Sequence, residues 1–444
     1  MRKGFLAQGR WQKNQIYNKM KKNQKWIAAL LLCAAVSLFT KGTFAQSDKA
    51  KRSPEAIMPF HVNIPDEKLT NLQARILATN WPEQETVGDE SQGVKLATMR
   101  ALATYWAKEY NWRTFENRLN TIPNFITTID GLDIHFIHVR SKEKNALPLI
   151  ITHGWPGSIA EQLKIIGPLT DPTAYGGKAG DAFDVIIPSL PGYGFSGKPA
   201  TTGWDPQRIA RAWATLMKRL GYTRFVAQGG DWGNAVTEQM ALQAPAGLIG
   251  IHTNMPASVP PEIQKSLELN QPAPASLSAD EKHAYEQLDY FYKHGLGYAN
   301  EMANRPQTLY AIQDSPIGLA AWMMDHDATS LALISRVFNG KQEGLMRDEI
   351  LDNITLYWLT GTAVSSARLY WESKLAFFAP KGVNLPVAVS AFPEELYQAP
   401  KSWVEKAYPK LIHYNKLPKG GHFAAWEQPT AFSQELRDSF RSLR

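Results

Sequence analysis

Apolar positions change their spacing along this chain, and each change marks a different kind of element. Over residues 55–122 they recur at helical intervals. Leu69, Leu72, Ile76 and Leu77 form one set, and Leu96, Met99, Leu102 and Trp106 another, which predicts a mainly helical segment. From Phe125 the period drops to two. The run FITTI, the pair Asp130-Gly131 and the run LDIHFIHV predict a hairpin closed by a tight turn. Short apolar runs then alternate with amphipathic stretches. LPLIIT (147–152), FDVII (183–187), Arg224–Gln228 and Leu248–His252 read as strands. Between them a helix opens at Ser158, with Ser158 and Glu161 in a capping-box pattern. Asp205-Pro206 opens another, with Ile209, Trp213, Leu216, Met217 and Leu220 on one face, and a third runs from Asn234. This alternation predicts a parallel α/β sheet. Residues 257–375 break the rhythm: they are helical in pattern and punctuated by proline, which suits an insertion over the sheet. Strand signals return at LPVAVS (385–390) and LIHY (411–414), and a helix from Pro429 closes the chain.

Composition changes this picture at one end only. The 444 residues are 44% hydrophobic and 20% charged, as in soluble globular proteins. The formal net charge is +7, but nine of the 48 Lys and Arg fall in residues 1–45, where there is no Asp or Glu; the rest of the chain carries 39 basic against 41 acidic residues. The basic excess belongs to a leader and gives no support to nucleic-acid binding. That leader reads as a secretory signal: a basic region to Lys25, the apolar run Trp26–Phe39, and Thr43-Phe44-Ala45 as a cleavage site. The apolar run is short for a membrane span; an uncleaved membrane anchor is the alternative. The basic region is long for a signal, and Met20-Lys21-Lys22 is a more typical start than Met1. The sole cysteine, Cys33, lies in the apolar run, so the exported chain has no disulfide or thiolate chemistry. Residues 46–54 read as a polar linker.

The candidate chemistry gathers at strand ends. Phe225-Val226-Ala227 runs into Gly229-Gly230-Asp231-Trp232-Gly233, a strand–turn–helix with small residues on both sides of the central one. Such an elbow presents its central side chain as a nucleophile at the top of the sheet. His153-Gly154-Trp155-Pro156-Gly157 follows the strand LPLIIT, where an oxyanion hole takes one backbone N–H from Trp155 and the other from Trp232. His153 precedes the nucleophile and reads as structural. The base should come late in the chain, and His422, on a glycine-loosened loop, fits. The acid that orients it follows the preceding strand; Glu394 and Glu395 are both there, and spacing does not choose between them. A carboxylate nucleophile attacks saturated carbon and forms an alkyl ester. Its substrate carries an epoxide oxygen or a halide as leaving group.

These motifs in this order resemble the epoxide hydrolases of the microsomal and juvenile-hormone type. The similarity runs from about Phe60 to the C-terminus through PFHVNIPDEKLTNLQARI, WRTFENRLN, IDGLDIHFIHVRS, HGWPGS, SLPGYGFS, GGDWG, SPIGLAAW, AFPEEL and GGHFAAWEQP. The resemblance implies an α/β-hydrolase fold with a helical cap and an N-terminal helical extension. It implies a small-molecule epoxide as substrate, Asp231 as nucleophile, His422 as base, Glu395 rather than Glu394 as its acid, and Tyr298 and Tyr370 as proton donors. The expected division is 1–45 leader, 46–124 N-terminal segment, 125–256 and 376–444 the two parts of the core, and 257–375 the cap. A haloalkane dehalogenase is the rival enzyme; it shares the aspartate but needs neither the N-terminal segment nor the tyrosines. A catalytically idle ligand-binding relative is the rival of another class.

Other signals are set aside. Gly192–Gly197 matches a dinucleotide fingerprint, but no helix opens there. His135 and His138 lie three apart on a strand and face opposite sides. Asp325-His326-Asp327 lacks metal-ligand spacing and reads as a solvated loop. No cofactor and no metal are expected.

Overall fold

The computed structural model describes Ser53 and residues 55–341 and 343–444. The expected leader lies outside the described residues, as does the linker apart from Ser53. Among the described residues no helix is long and apolar enough to cross a membrane.

Within the compact unit Ile57–Arg444, the described residues form one sheet of nine strands: β1 (Met58–Pro59), β2 (Asn124–Ile129), β3 (Leu132–Val139), β4 (Leu147–Thr152), β5 (Phe183–Pro188), β6 (Phe225–Gly229), β7 (Leu248–Thr253), β8 (Val387–Ala391) and β9 (Leu411–Lys416). Their order is β1-β2-β3-β5-β4-β6-β7-β8-β9. The first four in that order pair antiparallel and the remainder parallel. Asp130 and Gly131 both take positive φ, 51° and 78°, as the tight hairpin between β2 and β3 requires. The central strands are sealed on both faces, which is why their sequences are near-continuous apolar runs; Leu149, Ile150, Ile151, Val185, Ile186 and Ile187 have no exposed surface. β5 and β6 flank β4 on opposite sides, so the connections leaving β4 and β5 run in opposite directions across the sheet. A crevice forms at such a switch point, above the carboxyl ends of the strands.

The helices behave largely as their patterns predict. In Pro206–Arg219 the Asp205 carboxylate accepts from the Arg208 N–H at 2.8 Å, while Ile209, Trp213, Leu216 and Met217 are buried. Residues 257–375 carry helices, including Ala279–Tyr290, Gly297–Asn304, Pro316–Met324, Ala328–Phe338, Arg347–Thr360 and Ala363–Glu372. The helices Asp66–Leu77, Leu96–Lys108 and Trp112–Asn120 form the N-terminal segment. It is tied to helix Arg347–Thr360 by Tyr105 and Tyr110, whose hydroxyls donate to Asp348 and Asp352, each at 2.8 Å. The strand order and the helical insertion after β7 are those of an α/β-hydrolase.

Three expectations change. β1 was not foreseen, because a two-residue strand shows no period. Leu77 ends its helix 67% exposed. Ser158 caps its helix by accepting from the Ala160 N–H at 3.1 Å, but Glu161 does not close a capping box. Its side chain turns inward and is buried.

Candidate active site

β6 ends at Gly229, and the chain turns at Asp231 with φ 51° and ψ −129° before helix Trp232–Gln243 begins. A non-glycine residue in this region is strained, and such strain gathers at functional sites. Gly233 lets the helix sit against β4: an added Cβ would fall 1.9 Å from the Thr152 carbonyl oxygen, so any larger residue would push the elbow off the sheet. The Asp231 carboxylate is buried, and its Oδ1 accepts from the Trp155 N–H at 2.7 Å. Among the described residues no hydrogen bond joins the Trp232 N–H to that carboxylate, so Trp155 supplies the one donor to it.

The loop that carries Trp155 is held from two sides. The His153 ring donates through Nδ1 to Gly154 O at 2.9 Å and accepts from the Leu190 N–H at 3.2 Å. Burial lowers its pKa to about 4, so His153 is neutral and structural. From the cap, Asn353 donates to Pro156 O at 2.8 Å and accepts from Ser158 Oγ at 2.6 Å, and Tyr357 donates to Gly157 O at 2.6 Å.

Behind Asp231 stands His422. Its Nε2 is 3.8 Å from Asp231 Oδ2, and its Nδ1 donates to Glu395 Oε1 at 2.5 Å. Glu394 is exposed, and its backbone bridges to Gly421, so Glu395 is the acid in contact. Glu395 also accepts from the Leu396 N–H at 2.8 Å and from Asn254 at 3.2 Å, and Asn254 in turn accepts from Gln228 at 3.1 Å. Burial disfavours a charge on His422, but Glu395, and after it Asp231 and Asp327, outweigh burial and raise its pKa to about 10. His422 therefore rests as an imidazolium.

On the other side of Asp231 lies a cavity of about 280 Å³, whose wall includes Asp231, Trp232, Tyr298, Tyr370, Phe291 and Phe377. The rest of its lining is largely apolar. Trp155 stacks on Tyr298 with centroids 4.9 Å apart, and Trp232 meets Tyr370 edge-on at 4.7 Å. The Tyr370 hydroxyl is buried beside the side chains of Tyr298 and Trp232 and, among the described residues, makes no well-formed hydrogen bond. Burial pushes both phenols well above their ordinary pKa, Tyr370's further by Tyr298, and both by the Asp231 charge. Each holds its proton until a stronger base forms beside it.

A second, polar cavity of about 20 Å³ adjoins Asp231 and His422 and is walled by Glu161, Gln162, Gln228 and Asn254 among others.

One expectation is overturned. Asp325-His326-Asp327 is not a solvated loop. His326 is 1% exposed, its ring lies 4.4 Å from that of His422, and its Nδ1 pairs with Asp327 Oδ2 at 3.0 Å. Asp327 caps helix Ala328–Phe338 by accepting from the Ser330 N–H at 2.8 Å. Cap and pair together use both carboxylate oxygens of Asp327. Ligand atoms of Asp231, His326 and His422 lie within 4.8 Å of one another, so these three side chains could take a transition-metal ion, although consecutive sequence spacing gave no sign of it. Asn353, Tyr357, Asn254, Gln228 and Glu161 were also missed. Asn353 and Tyr357 share a helix face by their spacing of four, but nothing in the sequence says what that face meets.

A carboxylate with one oxygen held and one free, a paired imidazole behind it and two protonated phenols in the opposite cavity can displace a leaving group from saturated carbon and then hydrolyse the ester. Comparison with known proteins leads the same way. Residues 57–162 match the family described as epoxide hydrolase N terminus, and residues 148–309 that described as alpha/beta hydrolase fold. A Stigmatella aurantiaca protein assigned to the epoxide hydrolases is 52% identical over 396 residues, covering 87% of this chain and 86% of its own. Epoxide hydrolase 1 of Oryctolagus cuniculus is 34% identical, over 91% of this chain and 97% of that one. The crystal structure of juvenile hormone epoxide hydrolase from the silkworm Bombyx mori superposes with a TM-score of 0.78 at 30% identity, over 89% of this chain and 97% of that one.

Proposed function

The chain belongs to the epoxide hydrolase family, and on that premise we propose that it converts a small-molecule epoxide to a vicinal diol through an ester on Asp231. The observation that carries this reading is a buried aspartate at the elbow, with His422 and Glu395 on one side and Tyr298 and Tyr370 in the cavity on the other. Asp231 Oδ2 attacks an epoxide carbon, and the C–O bond of the ring breaks. The departing oxygen takes a proton from Tyr298 or Tyr370, which leaves a phenolate. Oδ1, now the ester carbonyl, stays on the Trp155 N–H, which stabilises the oxyanion of the next step. Esterification also removes the Asp231 charge, one of the anions that hold the proton on His422. The imidazolium then returns a proton to the phenolate and becomes the neutral base that hydrolysis needs. Water attacks the ester carbonyl and gives a proton to His422. The diol departs, Asp231 is a carboxylate again, and His422 is again an imidazolium. Protons balance over the cycle.

The test replaces His422 with Gln. In this scheme alkylation survives and hydrolysis stops, so the intact protein gains the mass of one substrate molecule, and peptide mapping assigns it to Asp231. An inactive, well-folded His422→Gln that never gains mass at saturating epoxide would mean direct attack by water, without an ester. Export of the chain after removal of residues 1–45 is a further part of the proposal, supported by the basic region, the short apolar run and Thr43-Phe44-Ala45. N-terminal sequencing of native material should then begin near Gln46; a mature protein that retains Trp26–Phe39 would favour the anchor.

A further inference from the structure

The 20 Å³ cavity adjoining His422 is large enough for one water molecule and little else. Its walls need such a guest. Gln162 and Gln228 each keep a buried side-chain carbonyl oxygen with no donor, and an unmatched buried acceptor is costly. Glu161 is the third polar wall. It is 7% exposed and, among the described residues, has no ion-pair partner; Gln162 donates to its Oε1 at 2.7 Å. Burial raises its pKa to about 8, against the opposing effects of Gln162 and His422 and with some help from the Asp231 charge. At neutral pH it therefore carries a proton and can donate as well as accept. Space for this carboxyl is built into the backbone: a Cβ at Gly157 would fall 1.8 Å from Glu161 Oε2.

We propose that this cavity is the binding site of the second substrate, water, and that Glu161 anchors that water for attack on the Asp231 ester. The inference rests on the covalent reading above. The Glu161 carboxyl donates to the water oxygen, and the water donates one hydrogen to an amide carbonyl of the wall and the other to His422 Nε2. One lone pair is left facing the ester. As the water oxygen bonds to Cγ of Asp231, its proton passes to His422. The Cγ–O bond to the alkyl group then breaks, and the alkyl oxygen takes that proton and leaves as the diol. The new Asp231 carboxylic acid returns its own proton to His422.

The test measures alkylation and ester hydrolysis separately, by rapid mixing and quenching of the full chain, in Glu161→Gln and Glu161→Leu. Loss of the anchor should leave the alkylation rate within about two-fold of the parent and slow hydrolysis by about 10-fold or more, with the larger loss in Glu161→Leu. KM should fall with kcat because the ester accumulates, and the adduct should be visible by intact mass during turnover. A parental alkylation rate reports that the fold and nucleophile are intact, so a merely structural role for Glu161 would not give this split. Equal slowing of both steps, or no slowing of hydrolysis, would overturn the assignment. His422→Gln is the control: if it accumulates adduct while the Glu161 variants hydrolyse normally, the water site alone fails; if it accumulates none, the covalent reading fails and the water site with it.

Discussion

Tyr298 stacks on the ring of Trp155 and Tyr370 meets that of Trp232 edge-on, so ring contacts hold both phenols beside Asp231. Changing either to Phe keeps the ring and its aromatic contacts and removes only the hydroxyl. Each single change should slow alkylation by about 100-fold or more, and the double change should abolish adduct formation even in a His422→Gln background, as read by intact mass. If the double variant still alkylates at the parental rate, another group protonates the leaving oxygen. At this scale the sequence was most legible where the backbone dictates the residue. The glycines around Asp231 and the late position of His422 singled out these two side chains, which the fold brings within 3.8 Å of each other. Spacing left Glu394 and Glu395 open, because adjacent residues on a strand-to-loop exit point to opposite sides, and only the family resemblance favoured Glu395. His326 was hidden for a different reason: two aspartates beside it look solvated, yet one of them is buried by capping a helix and pairing with that histidine.

Helix Arg347–Thr360 contributes no wall of the 280 Å³ cavity, yet it holds the loop that carries Trp155. Through Asn353 and Tyr357 it fixes the carbonyls of Pro156 and Gly157, and so the direction of the Trp155 N–H. Tyr357→Phe leaves one buried carbonyl without a donor and should cost about 1–3 kcal/mol of stability. Asn353→Leu strands both Pro156 O and Ser158 Oγ and should cost more. Both should also slow alkylation, by an amount that grows with the stability loss; urea midpoints and single-turnover rates on the same variants check this. A stability loss with unchanged alkylation would mean that the loop keeps its geometry without the helix. The strands behind that loop were readable as apolar runs because both faces of the sheet are covered. The inner faces of the cap helices were not, since an amphipathic pattern shows which side is buried but not against what.

Over the whole molecule, buried titratable groups set the pH range of stability. Burial raises Glu161 and Asp352 to about 8 and Glu427 to about 7, while His422 stands near 10 in spite of burial. All four bind more protons folded than unfolded, so their stabilisation is complete below their unfolded pKa values and is lost as pH rises through the folded ones. Burial lowers His135 and His252 to about 3 and His138 and His153 to about 4. These four bind fewer protons folded, so their contribution is present above about 6.5 and is lost as pH falls. Between about 4.5 and 6.5 the two sets oppose each other and the four histidines outweigh the three carboxyls, so the stability maximum should lie near about pH 6.5, and unfolding free energy should fall by more than about 1 kcal/mol per pH unit above pH 7. Urea titrations from pH 4 to 9 test this, and a maximum at pH 8 or higher would contradict it. The partition made by Asp231 has a consequence for how such an enzyme can diversify. On the proposed mechanism, the chamber that meets the organic substrate draws most of its wall from residues 257–375, whereas the small polar chamber takes no residue from that segment. Selection can therefore reshape the cap for a new molecule without retuning the half of the catalytic cycle that restores the aspartate, and appetite and recovery can drift independently in one chain.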